Sequence, residues 1–169
     1  SSAASDVYKR QRFFYFLVQK AATYRHAKEI HRRILSLDTH TDTPLDFDVS
    51  YNIGTREKTQ VCLPKMREGK LDGQYLACWV RQGPCDEENS LKAIDRVDEL
   101  IRHIYRQVEM NGEQCAIART PDDLSRLKTE GKKAFYIGIE NGYGISKDLK
   151  NITRFHDAGV TYITLCHTR

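Results

Sequence analysis

Four side chains in this sequence have the types and spacing to grip a cation or work beside one: His40, Asp42, Glu140 and His167. His40 and Asp42 stand two apart, directly after the β-type run at residues 34–38. In an extended segment, residues i and i+2 point to one face, so this pair can converge on a single ion. A hard carboxylate beside a borderline imidazole suits a divalent ion such as zinc. Glu140 closes an apolar run at 134–139, and His167 follows another at 160–165. Each residue has an ordinary alternative. A His-x-Asp pair is common, Glu140 could be a satisfied buried acid or a helix cap, and His167 could meet a backbone carbonyl. The shared position at strand ends favours the ligand reading, because parallel strands deliver their carboxyl ends to one side.

Four strands are expected to position these groups, at 34–38, 75–80, 134–139 and 160–165. The run at 75–80 is near-continuously apolar, as in a strand buried on both faces, and Gly83-Pro84 breaks it. Pro44 ends the first regular element. Residues 12–35 suit a helix. Leu91, Ile94, Val97, Ile101, Ile104 and Val108 recur at helical spacing, closed by Asn111-Gly112. Thr120-Pro121-Asp122-Asp123 combines a capping hydroxyl, proline at the first helical position and carboxylates at the positive dipole end. That helix should stop at Gly131. Ser146 reads as the cap of a last helix with Leu149, Ile152 and Phe155 on one face, ended by Gly159. Lys65 reads as a solvated base after a turn. Strands alternating with helices imply an α/β fold with a parallel sheet.

The 169 residues are about one domain's worth of chain, 40% hydrophobic and 30% charged, which excludes intrinsic disorder. Nothing approaches the roughly 18 apolar residues of a membrane helix. The run from Phe13 to Val18 is shorter than a signal-peptide core. Net charge is +4, without the aromatic-interleaved basic stripe of single-strand binders, so no nucleic-acid partner is expected. Five cysteines with no Cys-x-x-Cys argue against a cysteine zinc site and a complete disulfide framework, and read as core residues or unpaired thiols. His26, His31, His103 and His156 read as surface or packing residues, and Trp79 and the tyrosines as core. Residues 1–11 lack a hydrophobic period and look like translated adaptor sequence, leaving 12–169 as the domain.

Four segments, taken in order, resemble successive signatures of one family. They are Leu37-Asp38-Thr39-His40-Thr41-Asp42-Thr43-Pro44, Leu63-Pro64-Lys65-Met66-Arg67-Glu68-Gly69, Ile137-Gly138-Ile139-Glu140-Asn141-Gly142 and Tyr162-Ile163-Thr164-Leu165-Cys166-His167-Thr168. The sequence is similar to the membrane (renal-type) dipeptidases, peptidase family M19, from about His26 to Arg169. Asn141, where mammalian members tend to carry glycine, suggests the bacterial branch. The resemblance implies a (β/α)8 TIM-type metallohydrolase barrel with two zinc ions at its mouth. It implies that His40 and Asp42 bind one zinc, that Glu140 bridges both, and that His167 meets the substrate carbonyl and steadies the tetrahedral intermediate. A hydroxide shared by two cations would attack the peptide bond of a dipeptide.

Such a barrel takes about 250 residues, so the sequence reads as its amino-terminal half, with the second-zinc histidines and later catalytic residues beyond Arg169. Alone, such a half is expected to be inactive, to aggregate or self-pair through open sheet edges, or to bind one ion weakly. A homodimer and an extracytoplasmic location (periplasmic or secreted) are family-level expectations, with a cytoplasmic location as the alternative. Two other functions compete: a non-catalytic half-barrel docking on another chain, and a barrel metallohydrolase of the amidohydrolase type. The second usually presents His-x-His on its first strand, and Asp42 speaks against it.

Overall fold

The apolar runs near residues 75 and 135 pair with each other along their whole length, and that pairing sets the frame. The computed structural model describes residues 2–48 and 50–167, with side chains from residue 14 onward. The chain forms two units, Ser1–Leu35 and Ser36–Arg169. The first is a single helix, α1 (Ser2–Arg33), which starts ten residues before the expected 12–35 helix and stops two residues short of it. Phe14, Tyr15, Phe16, Leu17 and Val18 are exposed on it. Among the described residues, no helix is long and apolar enough to cross a membrane.

The second unit runs β1 (Leu37–Asp38), α2 (Leu63–Gly69), β2 (Gly73–Trp79), α3 (Glu87–Met110), β3 (Cys115–Ile117), α4 (Pro121–Thr129), β4 (Lys133–Glu140), α5 (Lys150–Asp157) and β5 (Val160–Ile163). All the strand pairs are parallel. β1 flanks β2, which matches β4 from Gly73↔Ala134 to Trp79↔Glu140. The other edge of β4 is shared. β3 takes its first residues, with Cys115 opposite Lys133, and β5 takes its last, with Ile163 opposite Ile139. β3 is a fifth strand beyond the four expected; at three residues it is too short to show a period.

Alternation along the strands divides the sheet's two faces. Leu76 and Cys78 of β2 and Val80 just after it, with Phe135, Ile137 and Ile139 of β4, join Val97, Leu100 and Ile104 of α3 in the main core. Val97, Ile101 and Ile104 of the anticipated 91–108 stripe are buried here, whereas Leu91 is exposed, and the helix begins earlier, where the Asp86 side chain accepts from Asn89 N at 2.8 Å. Tyr75, Ala77 and Trp79 alternate to the opposite face, together with Ala134, Tyr136, Gly138 and Glu140. The amino-end half of that face is covered by α4, whose Leu124 and Leu127 pack with Ala134 and Tyr136. Below it Asp72, nearly buried, accepts from Ser36 N at 3.0 Å and from Lys128 Nζ at 2.7 Å.

α4 starts with the capping box its sequence suggests. Asp123 N donates to Thr120 Oγ1 at 3.3 Å and Thr120 N to Asp123 Oδ2 at 2.9 Å. Arg126 and the backbone donors of Arg119 and Thr120 hold the Asp123 carboxyl far below the usual carboxylate range. Thr120→Ala is expected to cost about 1 kcal/mol, seen as a lower urea midpoint with an unchanged slope.

Two local readings differ from the structure. Residues 63–69 form a helix with proline in the first turn; seven residues are too few for a periodic signal. On it Lys65 donates to the Thr59 carbonyl, so it is tied down rather than free in solvent. Ser146 does not cap α5. A 3-10 turn at Gly142–Ile145 intervenes, Ser146 has φ +58°, and the helix begins at Lys150. Of the expected face only Phe155 is buried; Leu149 and Ile152 are exposed.

Candidate metal centre

β1 is only two residues long, yet the chain keeps tracking β2 beyond it, with Ala77 N donating to Thr41 O at 3.0 Å. The segment therefore still alternates. Thr41 turns inward, 8% exposed, and its hydroxyl lies 2.9 Å from that of buried Thr43. His40 and Asp42, on either side of Thr41, turn outward together. The Asp38 carboxylate accepts from His40 N at 3.0 Å, and Leu45 N closes onto Asp42 O at 2.9 Å as the 3-10 turn Thr43–Asp46 begins. The side chains then meet, His40 Nε2 lying 3.3 Å from Asp42 Oδ1.

Glu140 comes from the end of β4 and is mostly buried. Its Oε2 lies 3.3 Å from His40 Nε2, and its Oε1 lies 3.5 Å from His167 Nε2. One carboxylate thus faces two imidazoles, one oxygen to each. His167, just past β5, also meets the Trp79 ring edge-on at 5.9 Å. Asn141 locks the end of β4. Its φ is +87°, its Nδ2 donates to Val80 O at 3.1 Å, and its own N–H donates to Thr164 Oγ1 at 2.8 Å. A positive φ is uncommon for a residue other than glycine, and here Asn141 is held in it while it joins the carboxyl ends of β2, β4 and β5.

An imidazole and two carboxylates, one ligand atom from each, lie within 4.8 Å of one another in the trio His40, Asp42 and Glu140. A donor set of one nitrogen and two oxygens fits zinc or a similar divalent ion. The surroundings hold proton-bearing groups neutral. Burial, with the Glu140 charge adding to it, pushes the Tyr162 phenol up to about 12. On the other face of the sheet, in the core against α3, burial pushes the Cys78 thiol up to about 12. Cys62, Cys78 and Cys115 are buried and Cys85 and Cys166 exposed, all as free thiols.

The four residues singled out from the sequence lie around one point, with His167 reaching it through Glu140. The aromatic residues around it follow the core reading only in part, Tyr75 packing against the smaller core cluster beside Tyr136. Trp79, Tyr75 and Tyr162 are half-buried on the site face. Tyr75 stacks on Tyr136 at 4.8 Å and meets Tyr162 at 4.9 Å. The Tyr162 hydroxyl lies 3.4 Å from His40 Nδ1. The signal available was the two-residue period: Trp79 stands opposite Glu140 in register and therefore shares its face. His26 and His156 are exposed, and His31 and His103 partly buried.

Known proteins similar to this chain are dipeptidases. The family model for membrane dipeptidase (peptidase family M19) matches residues 24–169. Dipeptidase ataJ of Aspergillus terreus is 26% identical over 154 residues, which cover 85% of this chain and 38% of that protein. Dipeptidase 3 of Mus musculus is 26% identical over 144 residues, covering 78% of this chain and 27% of the relative. The crystal structure of the probable dipeptidase PvdM from Pseudomonas aeruginosa superposes with a TM-score of 0.76 at 27% identity, over 86% of this chain and 38% of that one. The chain thus spans well under half the length of these relatives. They come from a fungus, a mammal and a bacterium, and mark the family rather than one branch of it. Its parallel α/β sheet, its order of motifs and these matches together make the chain a member of the membrane dipeptidase family, peptidase family M19.

Proposed function

We propose that this chain contributes the amino-terminal part of a zinc-dependent dipeptidase, with His40, Asp42 and Glu140 as zinc ligands. The observation that carries the reading is the convergence of three ligand atoms, from two separate strand ends, to within 4.8 Å. Zinc held there would supply the Lewis acidity that activates water and polarises a peptide carbonyl. The chain's own groups have distinct tasks. Asp42 and Glu140 bring negative charge to the site, and Glu140, facing an imidazole with each oxygen, is placed to serve two cations. Among the described residues a single trio of ligands converges, so a second zinc would draw on further ligands. His167 stands across Glu140 from His40, where its ring N–H can donate to a substrate carbonyl as charge develops on it. Trp79 limits its swing from one side.

The test is made on the protein that carries this chain. Stripped of metal by a chelator, it is expected to lose dipeptide hydrolysis and to regain it when zinc is restored. Hydrolysis that survives metal removal, or metal-loaded protein that leaves dipeptides intact, would overturn the reading.

A further inference from the structure

Tyr162 touches the proposed metal centre in a way that the roles above do not use. Its hydroxyl lies 3.4 Å from His40 Nδ1, the ring nitrogen opposite the Nε2 that faces Asp42 and Glu140. The phenol ring has little freedom. It lies flat over Gly138, where a Cβ would stand 2.3 Å from Cζ, and against Tyr75 with ring centres 4.9 Å apart. Gly138 therefore provides the seat, and β5 delivers the ring across β4 to the imidazole. A histidine that offers the lone pair of Nε2 to an ion carries its proton on Nδ1, and that N–H needs an acceptor that fixes tautomer and ring orientation.

We propose that Tyr162 is a positioning residue for His40. Its hydroxyl oxygen accepts the Nδ1–H and so holds the Nε2 lone pair toward Asp42 and Glu140. This rests on reading the His40 trio as a zinc site. The separation is long for a hydrogen bond, so the expected effect sits at the lower end of the 10–100-fold range for such partners, about tenfold in metal affinity.

The experiment is a zinc titration against a chromophoric chelator of the protein that carries this chain and of its Tyr162→Phe and Tyr75→Phe variants, with cobalt(II) spectra and thermal midpoints in parallel. Phenylalanine at 162 keeps the ring over Gly138 and removes only the hydroxyl. Zinc affinity should fall about tenfold and the cobalt bands should shift, while the thermal midpoint holds. Tyr75→Phe removes a hydroxyl from the same stack, one whose partner is Thr161 at 3.3 Å, and should leave affinity and spectrum unchanged. Equal zinc affinity in the Tyr162→Phe variant and the parent chain overturns the inference while leaving the zinc site intact. An equal loss in both variants marks a packing effect and overturns it too. A parent chain that takes up no zinc removes the metal centre itself, and this inference falls with it.

Discussion

Replacing Glu140 with alanine is expected to reduce zinc affinity by well over the roughly 100-fold that loss of an outer partner can cost. Glu140 supplies a ligand atom itself, and its two oxygens face His40 and His167 at 3.3 and 3.5 Å. The change leaves two of three ligands and removes half of the site's negative charge. Glu140→Gln isolates the charge, since it keeps an oxygen and the length of the side chain, and it should fall between alanine and the parent. Equilibrium zinc titration gives the affinities, and circular dichroism checks that β4 still forms. A folded Glu140→Ala chain that binds zinc like the parent would take Glu140 out of the site.

Phe135→Ala should be the most damaging change to the fold, at about 3–5 kcal/mol. Phe135 is fully buried and lies in the cluster that joins β4 to α3. β4 pairs with β2, β3 and β5, so no other strand touches so much of the sheet. Domain stabilities are about 5–15 kcal/mol, so the loss is a large share of the total. Urea titration should show it as a much lower midpoint. A shift worth less than about 1 kcal/mol would mean that the cavity collapses onto neighbouring side chains instead of staying open.

Much of this architecture is legible in the residues, for reasons of length and period. The long stripe on α3 and the Thr120–Asp123 cap are strong local signals, and the structure has both. The runs that became β2 and β4 are legible as strands, but being apolar on both faces they do not reveal which face carries the site. That is why Trp79 and Tyr75 read as core, whereas only packing against α3 on one side and α4 on the other sorts them; Tyr162 takes its face from its place opposite Gly138. His40 and Asp42 were legible because they are two residues apart. The meeting of Tyr162 with His40 joins positions 122 residues apart and has no local signature. The short β3 and α2 lack the length for a period, and Ser146, a common capping residue, is instead held at positive φ by the turn before it.

Helix α4 gives the site face a floor. Leu124 and Leu127 fill it at the amino ends of the strands, and among the described residues that end is closed by their packing. The open side is the one where the His40 and His167 side chains stand, both partly exposed, and it forms the door to Glu140. Substitutions under that floor should therefore register as changes in melting, and those around the door as changes in traffic.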